Sequence, residues 1–215
     1  MASLPFHEAP MLEVIDLTCR RGGRQVFDHL SFSLGVGELL ALVGRNGSGK
    51  TTLLRALALL VRADAGVILW QGGDVRADPE VWRAQLAWLG HLDGLKGDLS
   101  VRENLLAGEA LRGARSGEDR LDAALAAFDL AQLATRPVRT LSAGQRRRSA
   151  LARVVMAQAP IWLLDEPLNA LDSAAQQAFR SAVDRHLQTG GIAIAATHAD
   201  LGLPSARRLE LGAPL

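Results

Sequence analysis

The sequence predicts an α/β domain whose mostly parallel sheet follows an antiparallel start and is interrupted by a helical insertion. The early segments alternate apolar with polar residues, the period of half-buried strands. Later apolar runs are short and continuous, as strands buried on both faces require. A middle stretch of helical composition separates the first such run from the rest. At 215 residues the chain can bury one sizeable core and is too short for two independent ones. We therefore read residues 1–215 as a single domain, with 11–91 and 142–215 forming an α/β core and 92–141 a helical subdomain.

Taken in order, Leu12 to Cys19 and Leu30 to Leu34 are the alternating strands, and Gly22-Gly23 between them is a turn signal. Leu39 to Val43 is a buried strand that ends in a glycine-rich loop, and Thr51 to Val61 then has helical composition. Val67 to Trp70 and Leu86 to Leu89 are further short strands, followed by amphipathic helices at Val101 to Leu111 and Asp119 to Ala127. A helix from Gln145 to Ala157 runs into Pro160. A buried strand Ile161 to Leu164, a helix Ala174 to Leu187 and a strand Ile192 to Ala196 complete the pattern.

Composition bounds the function. Lys+Arg number 24 against 23 Asp+Glu, a net charge of +1, which supplies no broad field for holding nucleic acid or an acidic membrane surface. The single cysteine, Cys19, suits a small buried position and a reducing compartment. No apolar run approaches the roughly 18 residues needed to span a bilayer. The start MASLPFHEAP lacks the basic-then-apolar pattern of a secretory signal, so a cytoplasmic location is expected. Only Lys50 and Lys96 are lysine among the 24 basic residues. A compact ammonium and a planar guanidinium exchange freely on a solvated face but not in a tight pocket, so Lys50 in particular marks a constrained site.

That lysine lies in Gly44-Arg45-Asn46-Gly47-Ser48-Gly49-Lys50-Thr51, followed by Thr52. The run matches the phosphate-loop pattern, and it falls between a buried strand and a helix, which is the context the pattern requires. Glycines let the backbone curl so that N–H groups face phosphate oxygens at the positive end of the next helix. Lys50 is expected to reach the outer phosphates and Thr51 to place its hydroxyl on Mg²⁺. The fold is thereby specified as a phosphate-loop NTPase.

Ile161-Trp162-Leu163-Leu164-Asp165-Glu166 delivers two carboxylates at a strand's carboxyl end, the edge where open α/β sheets bind ligands. Asp165 suits Mg²⁺, directly or through water, and Glu166 can polarise an attacking water for in-line phosphoryl transfer. His198 follows Thr197 after the last apolar run. It is either a partner for a γ-phosphate oxygen or a structural histidine. Leu141-Ser142-Ala143-Gly144-Gln145 opens a helix with small residues, a second anion-facing element.

GRNGSGKT, LSAGQRRRSALAR, LLDEP, NALD and the late TH together resemble the ABC ATPase family over nearly the whole chain. The resemblance implies a RecA-like core and a head-to-tail homodimer. In that dimer Ser142, Ala143, Gly144 and Gln145 of one copy cap ATP held by the phosphate loop of the other. It also implies that the Asn169-Ala170-Leu171-Asp172 loop crosses the interface and that Arg146 to Arg148 form a solvated and inter-lobe face of the signature helix. The family signature has glycine where Ala143 stands. Where most members carry a glutamine that senses Mg²⁺ and the membrane partner, this chain has His91, which can still bond a metal-bound water. The family usually stacks an aromatic on adenine near the position of Arg21, and this chain contains no tyrosine.

LGHxxGLK (to which Lys96 belongs), SVRENL, LSAGQRRR and APIWLLDEP narrow the resemblance to ATP-binding subunits of bacterial cytochrome c maturation, or haem, exporters. This implies transmembrane haem-handling subunits, a periplasmic haem chaperone, and peripheral attachment to the cytoplasmic face of the inner membrane. ATP and Mg²⁺ are the implied cofactors, with no nucleic acid partner. The rival readings are the ATPase of another small exporter, or a soluble ABC protein acting on DNA or ribosomes. Those soluble proteins typically carry a long coiled coil or tandem cassettes, and neither is visible here.

Overall fold

Leu12–Arg21 (β1) and Arg24–Leu34 (β2) pair antiparallel, with Arg21 opposite Arg24 across Gly22-Gly23. Both turn glycines have positive φ, 56° and 75°, the combination a two-residue hairpin turn demands of its central positions. The computed structural model to which these elements belong describes residues 11–113 and 117–212. The amino-terminal segment read for targeting lies outside them.

Ala65–Trp70 (β4) pairs antiparallel with β1, and the short Gly73–Asp74 (β5) pairs with β4, giving a four-stranded sheet in the order β2-β1-β4-β5. The second sheet is parallel throughout. Leu39–Val43 (β3), Leu86–Leu89 (β6), Ile161–Asp165 (β7), Ile192–Ala196 (β8) and Arg207–Glu210 (β9) form it in the order β6-β7-β8-β3-β9. Its central strands are buried on both faces. Leu40, Leu42, Ile161, Leu163, Ile192 and Ile194 point into a core shared with the antiparallel sheet and with Lys50–Leu57 (α1). The alternate residues Leu39, Ala41, Trp162, Leu164, Ala193 and Ala195 point into a second core. This two-sided burial is why the strands read as unbroken apolar runs.

The second core is closed by helices. Val101–Leu111 (α3), Glu118–Ala127 (α4), Ala143–Met156 (α5) and Ser173–Gln188 (α6) contribute Leu105, Leu121, Leu125, Leu151, Val154 and Phe179 to it. Ser100 and Glu103 form a reciprocal capping box that starts α3. Two short 3₁₀ turns, Ala131–Leu133 and Val138–Thr140, lead from α4 to α5. Cys19 is fully buried beside β2, as expected of it. Among the described residues, no helix is long and apolar enough to cross a membrane.

The expected helix to Val61 ends four residues earlier, at Leu57. The stop is a Schellman motif: the Leu59 amide donates to Ala56 O at 3.0 Å and the Leu60 amide to Arg55 O at 2.8 Å. Leu59 holds φ at 54° there, a place usually taken by glycine, so the composition carries no stop signal. Pro79–Ala84 (α2), capped by the Asp78 side chain, and β5 and β9 are additions to the expected elements. β9 is an edge strand of sequence RRLE with mostly exposed residues, so it shows no apolar period.

His186, on α6, lies flat on Trp162 of β7, with ring centroids 4.1 Å apart and planes 8° from parallel. Burial holds its imidazole below the ordinary histidine range, and the bond to Ile192 O opposes this only partly. The folded state therefore favours neutral His186. Its contribution is present above the unfolded value and is lost as the pH falls through the folded one. The thermal unfolding midpoint is thus expected to fall between about pH 7 and pH 5, and His186→Phe, which keeps the stack, should flatten that fall. Equal slopes in both proteins would remove His186 as the titrating group.

Candidate functional site

An open cleft of about 830 Å³ lies at the carboxyl ends of the parallel strands and is lined by Asn46 to Thr52, Val26, Arg55, His91, Asp165, Glu166, Asn169 and His198. The loop from β3 to α1 builds its floor. Gly49 enters α1 with φ at 100°, and a Cβ there would sit 2.5 Å from Val26 Cγ1, so no other residue fits. The amides of the first turn of α1 have no intrahelical acceptor, and the residues carrying them line the cleft. Ser48 Oγ is buried without a hydrogen-bond partner. In a phosphate loop such an unpartnered hydroxyl is a donor suited to a phosphate oxygen.

Lys50 is 7% exposed and curls back over the loop, its Nζ donating to Gly44 O at 2.7 Å and Arg45 O at 3.2 Å. Beside it, Thr51 Oγ1 donates to both carboxylate oxygens of Asp165, at 3.1 and 3.0 Å. A hydroxyl and a buried carboxylate are hard oxygen donors, the set Mg²⁺ uses when phosphates and waters complete its shell. The residues present therefore fit this ion.

Glu166 follows β7 with φ at 49°, an uncommon conformation for a side chain of this size and one that recurs at functional sites. Its amide donates to Ala196 O at 2.9 Å, tying it to β8. Its Oε2 lies 2.8 Å from His198 Nδ1. The glutamate is largely shielded, its side chain 17% exposed, whereas that of His198 is 60% exposed. A carboxylate oriented by a histidine and facing the phosphate loop can accept a proton from a water positioned between them.

Lys50, Thr51, Thr52, Asp165, Glu166, His198 and His91 thus line one cleft, with the loop residues Asn46, Gly47, Ser48 and Gly49. Arg45 opens onto a neighbouring cavity of about 540 Å³, shared with Arg21, Arg24 and Gln25 of the β1–β2 hairpin. Arg21 itself is tied to Arg20 O and Arg62 O, both at 2.6 Å. Ser142, Ala143, Gly144 and Gln145 do not line their own chain's cleft. They sit at the start of α5, where Ser142 Oγ accepts from the Gln145 amide and Gln145 Oε1 from the Ser142 amide, a second capping box. A Cβ on Gly144 would meet Ala170 O at 2.8 Å, so the signature and the Asn169–Asp172 loop are in contact. Val26 and Arg55, which line the cleft, carry no sequence signal of that position.

Of the arginine run following the signature, expected as a solvated and inter-lobe face, Arg146 and Arg148 are partly exposed and Arg147 is not solvated. Arg146 donates to Leu141 O at 2.6 Å, and Arg148 to Phe128 O at 3.0 Å. Arg147 is buried, with its side chain only 5% exposed. A helix face turned toward the sheet edge submerges the middle residue of the three.

A phosphate loop, a strand-end carboxylate pair and a signature helix on this two-sheet scaffold define an ATPase of the ABC transporter class. The chain belongs to the ABC transporter family, whose model matches residues 27–169. Within it the chain groups with proteins called cytochrome c biogenesis ATP-binding export protein CcmA. It is 49% identical to the one from Rhodospirillum rubrum over 210 residues, 97% of this chain and 89% of that one. It is 47% identical to the one from Cupriavidus necator, over 96% of this chain and 90% of that one. A dimeric ATP-binding cassette in a post-hydrolysis state, bound to ADP and Pi, shares the fold with a TM-score of 0.83 at 23% identity, over 94% of each chain.

Proposed function

We propose that this chain is the ATP-hydrolysing subunit of a haem export complex of cytochrome c biogenesis, working as a homodimer on the cytoplasmic face of the bacterial inner membrane. The observation that carries the reading is similarity over almost the whole chain to ATP-binding export proteins of cytochrome c biogenesis. Its transmembrane partners would handle haem, and hydrolysis would drive release of a haem-loaded periplasmic chaperone.

Within the site, Lys50 and the amides from Gly44 to Thr52 would hold the phosphates, and Thr51 and Asp165 would hold Mg²⁺. When bound, the ion neutralises charge on the phosphate oxygens. Glu166 would take the proton of the attacking water, with His198 holding the carboxylate in place and facing the γ-phosphate. His91, on the rim of the same cleft, would bond water near the metal. Ser142, Ala143, Gly144 and Gln145 would act in trans on the nucleotide of the second copy, since they stand outside their own cleft. Phosphoryl transfer needs positioning and charge stabilisation more than covalent chemistry, and the residues in the cleft supply both.

The test is co-purification from a native membrane preparation. Membrane subunits of cytochrome c assembly should accompany the tagged chain, together with ATPase activity that rises on assembly. Recovery with membrane proteins unrelated to that process would sink the export assignment and leave the ATPase intact.

A further inference from the structure

Arg147 lies in the second turn of α5, five residues after Ser142, and its guanidinium ties this helix to two separate pieces of the site. Nη1 donates to Gly90 O at 2.9 Å and to Asp93 Oδ1 at 3.0 Å. Nη2 donates to Asp165 O at 2.7 Å and Glu166 O at 2.6 Å. Gly90 and Asp93 flank His91, which is itself exposed on the cleft rim. Asp165 and Glu166 are the carboxylate pair. The same helix grips the His91 segment a second time, through Arg153, whose guanidinium donates to Gly94 O at 2.6 Å and Asp93 O at 2.9 Å.

We propose that Arg147 is a positioning residue for ATP hydrolysis: one buried fork that locks the signature helix, the His91 segment and the Glu166 turn into a single moving unit. This rests on Glu166 acting as the base. The two carbonyls that Nη2 holds bracket the residue at φ 49°, so the bond fixes the unusual turn that aims the Glu166 side chain. Only a planar guanidinium with parallel donors can serve two backbone carbonyls on one side and a carbonyl and carboxylate on the other. A lysine keeps the charge but cannot span both sets. Any shift of the signature helix, on engaging a second copy, is transmitted through Arg147 to the turn that orients the base.

The experiment compares Arg147→Lys, Asp93→Asn and the double variant in the transporter complex, with kcat and KM for Mg·ATP normalised to folded protein by thermal melting. Misplacing a base lowers the chemical step without altering phosphate binding, so Arg147→Lys should lower kcat by about tenfold or more while KM stays within about threefold. Asp93→Asn should move kcat in the same sense by less. The double variant should be no worse than Arg147→Lys, because coupled residues do not add. A purely structural arginine would instead lower activity only with the folded fraction. An unchanged kcat per folded site in Arg147→Lys would overturn the proposal. Should that variant fail to fold, Asp93→Asn decides, and an unchanged kcat there overturns it too. Glu166→Gln, run in parallel, separates the two ideas. Full turnover in Glu166→Gln would remove the base assignment, whereas an inactive Glu166→Gln beside a normal Arg147→Lys would remove only the positioning role.

Discussion

Glu166→Gln is expected to lower ATP turnover by about 10²- to 10⁴-fold, the contribution of a positioned general base, while leaving nucleotide binding close to that of the unaltered protein. Glutamine has the shape of glutamate and can still meet His198, 2.8 Å away in the native site, so the turn and the histidine keep their places. What is lost is the ability to accept a proton from water. The carboxylate stands outside the phosphate loop, so its neutralisation removes none of the contacts expected to hold the triphosphate. Phosphate release measured alongside equilibrium binding of a labelled nucleotide separates the two effects. Full turnover in a folded Glu166→Gln protein would show that the base lies elsewhere.

Lys50→Ala should fail earlier in the cycle. Lys50 is buried, with only 7% of the residue exposed, and the bonds of its ammonium to Gly44 O and Arg45 O close the loop on itself. Removing the ammonium takes away a brace of the loop and the point charge proposed to meet the outer phosphates. A loss of about 10²- to 10³-fold in turnover is expected from one such electrostatic contact, with binding weakened as well, unlike Glu166→Gln. Lys50→Arg should not rescue, because a wide planar fork does not fit a pocket shaped for a compact ammonium. Restored turnover in Lys50→Arg would mean that charge alone suffices there.

These two residues were legible in the sequence for a physical reason. The phosphate loop and the LLDE strand are local: a glycine run between a strand and a helix, and a buried run ending in acids, fix their geometry within about ten residues of chain. The capping boxes that the structure shows at Ser100 and Ser142 are equally local, with partners three residues on. The β9 edge was illegible because its residues face solvent and keep no period. The end of α1 was hidden because a leucine, not a glycine, takes the left-handed position.

Arg147 shows the limit most plainly. In the sequence it is the middle of three arginines, indistinguishable from its neighbours, and charge runs usually lie in solvent. Its contacts lie 18, 19, 54 and 57 residues away, on a strand end and a loop that only the packing of α5 against the sheet brings within reach. The sequence by itself determined the α/β alternation, the phosphate loop, the carboxylate pair and the family, because each is encoded in neighbouring residues. The tertiary structure alone decided that Glu166 meets His198, that Thr51 meets Asp165, and that one buried guanidinium joins the signature helix to both. Contacts between residues far apart in sequence depend on how the elements pack, and no local pattern of residue types records them.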